Sequence, residues 1–593
     1  MLKITTRIIF LGLLVVPVLL SYLSQKMQDT NIRFEKEEAL AKYGFYFEEV
    51  SETIGVNFVH HSPKLDPKID HILPQVASVG ASVSVVDYDN DGWNDFYVTN
   101  SCFGFNNCLY HNNKDGSFTD VADKTGIAKL NYEGNGVSMG AVWGDYNNDG
   151  FDDVFVYKWG KPELFRNDSG SGFSNVTEGS GLPAWLNSNS AIWFDFDLDG
   201  RLDLFIGGYF REDVDLWHLK TTRILTESFE YSQNGGKSYL FKNNGDGTFK
   251  DITAKVGLNS NRWTFAAAAT DVNGDGYPDL FIANDYGISE LHFNQKGEKF
   301  VEMGKEILVG LTPKSGMNVS LGDIYNKGKQ GFYVSNITEP GILLQGNNFW
   351  SPYPDRDKLM FINVAGEARI ESGGWSYGAQ FADFNNDGFQ DLYVANGYIS
   401  GEPGTSYWYD YTKVTGGNAN IISDVKNWPA MKGRSQSGYQ QNRIWLNDGT
   451  GHFSDVSNYV AEKEEFDSRS VAVADLWNRG VLDLIVANQN NRVMVYKNML
   501  DGKNHWIAFE PVIEDGKKSA IGTIITIYWD SKIQSQTVTG GIGFSAQNQK
   551  RLHFGLGKSE KVEKAIITWP GGQSLVIENP EVDKLNLIEK KNE

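Results

Sequence analysis

Cysteine is nearly absent. Two residues in 593 cannot build a cysteine-ligated zinc site or a disulfide-dense scaffold. Basic residues are in deficit, 54 Lys and Arg against 75 Asp and Glu, for a formal net charge of −21. Nucleic acid and anionic membrane surfaces repel such a chain, so neither is expected as a main partner. Proline is sparse beside glycine, 16 against 63, which suits short strands joined by tight turns. No G-x-S-x-G, Walker or H-E-x-x-H motif occurs, so no named enzyme class is signalled. What is present is 40% hydrophobic and 13% aromatic residues, enough for a large core and incompatible with global disorder. At this length one core does not suffice, and several modules or a closed repeat array is expected.

The long apolar run lies at residues 8–23, behind Lys3 and Arg7. As a helix it spans about 24 Å, slightly short of a bilayer core, so residues 1–23 read either as an uncleaved signal anchor or as a cleaved signal peptide. Both readings export the rest of the chain, to a membrane-anchored extracytoplasmic position (periplasm or cell surface) or to secretion. Residues 24–44 are polar and read as a stalk. Cys102 and Cys108 form either a short-loop disulfide or two free thiols.

One pattern recurs seven times: an apolar run, D-x-[DN]-x-D-G-x-x-D, then a second apolar run. The loops begin at Asp87, Asp145, Asp195, Asp271, Asp323, Asp383 and Asp475. Acids at positions 1, 3 and 5 converge on one hard cation because glycine at 6 turns the chain; a carbonyl at 7 and an acid at 9 complete an oxygen shell suited to Ca²⁺. Five loops are complete. Their predicted ligands are Asp87, Asp89, Asp91, Trp93 and Asp95; Asp145, Asn147, Asp149, Phe151 and Asp153; Asp195, Asp197, Asp199, Arg201 and Asp203; Asp271, Asn273, Asp275, Tyr277 and Asp279; and Asp383, Asn385, Asp387, Phe389 and Asp391. About five Ca²⁺ are therefore expected, in structural rather than catalytic sites. The fifth and seventh loops are decayed: Lys327 and Arg479 replace the acid at position 5 and could supply a fixed cation.

Between the loops lies a second motif, for example LFKNNGDGTFKDITAKVGL, reading as strand, turn, strand. The two motifs give about four strands per repeat, one propeller blade. A relative of the second motif, FYFEEVSETIGV at 45–56, precedes the first loop, while the last repeat lacks its outer strand. The N-terminal strand is thus expected to complete the seventh blade. Residues 501–593 carry no loop motif and alternate as a small β-sandwich.

These motifs, together with His553-Phe554-Gly555-Leu556-Gly557 and Thr568-Trp569-Pro570-Gly571-Gly572 near the C-terminus, resemble the cartilage acidic protein family, which joins FG-GAP (VCBS) repeats to a C-terminal UnbV (ASPIC) domain. The repeats are similar to the calcium-binding blades of integrin α propellers. The resemblance implies an all-β chain with a seven-bladed β-propeller at 45–500, a UnbV/ASPIC β-sandwich at 501–593, extracytoplasmic location and Ca²⁺ binding. It leaves the molecular activity open.

About five residues of strand follow each loop, roughly 16 Å of travel, so the chain emerges on the opposite face. Two insertions leave there: 209–238, with Trp217 and His218, and 397–440, with Tyr407, Trp408, Tyr409, Tyr411 and Trp428. The starts of the inner strands add Arg262 and Trp375. These aromatics either pack the insertions onto the rim or wall a funnel that recognises a protein or glycan ligand. His60, His61 and His71 match no standard metal spacing. The favoured function is a calcium-stabilised binding, adhesion or surface-assembly module. The alternative is an enzyme acting on an envelope sugar or lipid-like substrate in the funnel.

Overall fold

A computed structural model describes residues 34–353, 358–514 and 518–590. The anchor or signal reading of residues 1–23 lies outside the described residues. Among those described, no helix is long and apolar enough to cross a membrane.

The repeats fold as seven four-stranded antiparallel meanders, numbered I to VII here. Each loop motif joins the first strand to the second, as in Ser82–Val86 and Asp95–Thr99 of sheet I. Each strand–turn–strand motif supplies the third and fourth, as in Tyr239–Asn243 and Phe249–Asp251 of sheet III. Sheets II and III also pair directly, Leu186 opposite Gly160. Sheet VII takes its outer strand from the N-terminus: Phe45–Glu49 lies antiparallel to Met494–Leu500. Apolar side chains fill the spaces between neighbouring sheets; Phe281 of IV stacks on Phe332 of V at 4.6 Å.

Residues 24–44 are not a free stalk at their described end. Lys36–Tyr43 is a helix that ends at Gly44 in the left-handed conformation. It buries Ala39, and Tyr43 packs on Tyr459.

The C-terminal module has two sheets. One holds His505–Ile513, Leu552–Gly557 and Leu585–Lys590; the other holds Ile524–Trp529, Lys532–Thr537, Lys564–Thr568 and Ser574–Glu578. The module sits on the loop face. Residues 540–549 leave it and run between the first strands of the meanders. Gly540 O accepts from Trp193 N, Gly543 N donates to Val319 O, and Ala546–Gln547 pairs parallel with Val83 and Ser84. Gln547 bonds both backbone groups of Trp143, and Asn548 bridges Val473 N to Gln380. With Phe544 on Phe265 of sheet IV, one segment thus touches all seven sheets.

Candidate functional site

The loops share one backbone frame. The position-1 carboxylate accepts the N–H groups of positions 5 and 6, for example Asp87 from Asp91 at 2.9 Å and Gly92 at 2.8 Å. The decayed loops keep this frame at Asp323 and Asp475. In the five complete loops the position-5 acid accepts from the N–H of position 7. The position-9 acid is held by two backbone donors; Asp203 takes Asn243 N at 2.8 Å and Phe196 N at 2.9 Å.

Burial lifts these carboxyls. Asp87, Asp145 and Asp195 rise to about 7, Asp203 and Asp279 to about 8, and Asp153 to about 9. Ionised acids this close need a counter-charge. In loops I and III the acids at positions 1, 3 and 5 bring ligand atoms within 4.8 Å of one another. There Asp89 Oδ1 and Asp197 Oδ1 are buried without a hydrogen-bond partner. That donor set fits a hard divalent cation. Loops II, IV and VI have the same frame with asparagine at position 3; Asn147 and Asn385 turn their amides to Asp149 and Asp387.

Loop VII carries its own cation: Arg479 Nη2 lies 2.7 Å from Asp483 Oδ1. Lys327 does not do the same for loop V. Position 9 there is Gly331, which offers no acid; the loop backbone forms a β-bridge to Ile533 of the C-terminal module, and Asp323 accepts Ser535 N at 3.3 Å.

Position 4, which the motif leaves free, links neighbouring loops. Asn90 donates to Gly150 O, Asn148 to Gly200 O, Asn326 to Gly388 O, Asn386 to Gly480 O and Asn478 to Gly92 O, all at 2.7–3.0 Å. Each asparagine has positive φ and each acceptor is the position-6 glycine of the next loop. Leu198 and Gly274 break the series in loops III and IV. The C-terminal module fills both gaps: Gly571 N donates to Gly276 O, and Ser535 Oγ to Gly328 O.

The opposite face holds a cavity of about 310 Å³. A closed circuit of touching rings surrounds it: Trp375, Trp408, Tyr411, Phe229, Tyr286, Trp263, Tyr209, Phe265, Phe544, Tyr377, Tyr398 and back to Trp375; all but Phe544 line the cavity. Phe544 comes from the segment that threads the sheets. Asp285 lines the cavity and is buried. It accepts from Tyr209 Oη at 3.1 Å and Tyr286 N at 3.0 Å, and burial raises its carboxyl to about 7. Nearby Arg469, fully buried, donates to four backbone carbonyls and stacks on Tyr377.

Of the residues proposed for recognition, Trp375, Trp408 and Trp428 line this cavity. Tyr407 is buried outside it, its hydroxyl on Pro429 O. Tyr409 is 75% exposed beside Lys413. Trp217 stacks on Phe103, His218 bonds Asp215, and Arg262 pairs with Glu290. Asp285 ends a strand that the loop-to-strand spacing brings out on this face; Tyr209 and Tyr286, each just past the end of a strand, carry no sequence signal that marks them as wall residues. The Cys102–Cys108 bond is not formed; both thiols are free. Cys102 lies by Lys64, whereas Cys108 faces Asp120 and Tyr110 from a strand. His60, His61 and His71 do not converge: His60 is buried, His61 stacks on Phe105, and His71 bonds Val425 O.

Comparison with known proteins agrees with this layout. The FG-GAP-like repeat family matches residues 87–156, 145–206 and 231–282, and the ASPIC and UnbV family matches 514–593. Cartilage acidic protein 1 of Xenopus tropicalis is 22% identical over 86% of this chain and 74% of its own length. The Mus musculus protein of that name is 20% identical over 83% and 70%. A solved Agrocybe aegerita lectin that recognises terminal N-acetylglucosamine aligns over 69% of this chain and 86% of its own, at 14% identity and a TM-score of 0.35, too low to bear on the fold.

Proposed function

We propose that this chain, which matches the FG-GAP-like repeat and the ASPIC and UnbV families and is similar to cartilage acidic protein 1, is a calcium-stabilised binding module. Its seven meanders are read as the blades of a closed propeller, with about five Ca²⁺ in the complete loops. Basic side chains pair with some of these acids, His111 and Lys114 in loop I and Lys242 and Arg201 in loop III; when bound, the ion would supply the remaining counter-charge. The C-terminal module caps that face, so recognition belongs to the opposite one. The observation that carries this reading is the closed aromatic circuit around a single buried acid, a concave and mostly apolar wall with few polar groups. We place the protein outside the cytoplasm, with adhesion or surface assembly as its role and a protein or glycan as its partner.

The test is capture of partners by the purified protein, with and without Tyr411→Leu and Trp408→Leu. Loss of specific partners in folded variants supports the reading; unchanged capture contradicts it. The second reading, an enzyme acting on an envelope sugar or lipid-like substrate, draws on Asp285, whose carboxyl is poised near neutrality as a general base requires. Turnover that Asp285→Asn abolishes would favour it.

A further inference from the structure

The residues lining the aromatic cavity include two carboxylates, Asp285 within and Glu230 at the exposed mouth, and no lysine, arginine or histidine. Asp285 is bonded to neutral groups, Tyr209 Oη and Tyr286 N. Neither guanidinium group nearby bonds Asp285: Arg469 is held by backbone carbonyls, and Arg262 pairs through Nε with Glu290 while its buried Nη1 lies by Gly287 without a hydrogen-bond partner. A buried carboxylate without a cationic partner is costly, and the faces of the surrounding rings attract cations.

We propose that this cavity takes a small organic cation, an alkylated ammonium group, with Asp285 as its counter-ion and the aromatic circuit as its cage. The assignment rests on the recognition reading above and names its ligand chemistry. The volume, about 310 Å³, suits a small molecule rather than a folded partner. The acid at the mouth disfavours ligands that add a phosphate. A free alkylammonium is therefore preferred over the phosphocholine head of a lipid. Burial raises the Asp285 carboxyl to about 7 by disfavouring its ionised form, so a bound cation would favour loss of that proton.

The experiment is calorimetric titration of the full-length protein in Ca²⁺ with choline, its neutral isostere 3,3-dimethyl-1-butanol, and phosphocholine. Choline is expected to bind about tenfold or more tightly than the isostere, a preference that charge and ring faces together can supply, and more tightly than phosphocholine. Asp285→Asn keeps the shape and should remove the preference; Tyr411→Leu, nearer the rim, should weaken choline binding. Melting curves establish that each variant is folded, and Glu230→Gln at the exposed mouth gives a smaller loss should Asp285→Asn fail to fold. Equal binding of choline and its isostere, or choline binding indifferent to Asp285→Asn, overturns the assignment, as does tighter binding of phosphocholine. If choline does not bind but Tyr411→Leu still abolishes partner capture, the cation assignment falls and the recognition reading stands. If neither effect is seen, both fall.

Discussion

Asparagine at the fourth loop position joins one repeat to the next. Its left-handed φ is one that asparagine tolerates better than most side chains, and its amide reaches the neighbouring glycine carbonyl. This was not legible in the sequence, because a ligand motif assigns position 4 no role and five asparagines there look like ordinary turn residues. Asn148→Gly keeps the backbone conformation and deletes the amide, whose one side-chain bond is to Gly200 O. It should lower stability by about 1–3 kcal/mol, read as a reduced melting temperature; no change would mean the link contributes nothing. His60 gives a pH prediction. Burial holds its pKa at about 3, with the charges of His61 and Arg469 adding to the effect. The unfolded chain takes up a proton near pH 6.5 while the native one does not. Native stability therefore falls as pH drops from about 6.5 toward 3, by up to about 1.4 kcal/mol per unit from this residue. Denaturant melts of the parent and His60→Gln should show the parent's stability relative to the variant diminishing between pH 7 and pH 5. A constant difference would contradict a buried neutral histidine.

Strands and loops were the most readable elements. The alternation around each D-x-[DN]-x-D-G loop marks two strands of every meander, and the surplus FYFEEV segment marks the one that sheet VII lacks. The tail was read less well. SQTVTGG looks like one strand, but it pairs only through Thr537 and then gives way to residues 540–549, which run between the meanders. Their partners include Val473, 75 residues away, and Trp143, 404 away, so no local pattern signals them. Trp193, Gln380 and Val473 present backbone or amide groups that this segment satisfies, and Phe544 seals the base of the aromatic circuit. Phe544 is fully buried, and Phe544→Ala should cost about 3–5 kcal/mol. Because the segment belongs to the tail and packs on the sheets, the loss should appear in the main unfolding transition. A variant whose tail alone melts earlier would contradict that.

On the scale of the whole molecule, sheets, loops and tail form one connected unit: the tail supplies the two inter-loop bonds that loops III and IV lack, and its threaded segment touches all seven sheets. Length and repeats lead to the expectation of a repeat array followed by a C-terminal module, and seven meanders and a two-sheet tail are seen; docking of that tail on the loop face was not legible, because it carries no repeat to register against. Removing Ca²⁺ should destabilise this unit by mass action. Thermal melts in EGTA should show one transition at lower temperature, and two well-separated transitions would contradict the coupling. The central claim is that the buried loop acids are balanced by bound calcium. Its most direct test is metal analysis of the purified, folded protein after dialysis, alongside Asp87→Ala/Asp89→Ala. The account predicts about five Ca²⁺ per chain and about one fewer in the variant. One ion or none per chain would contradict it.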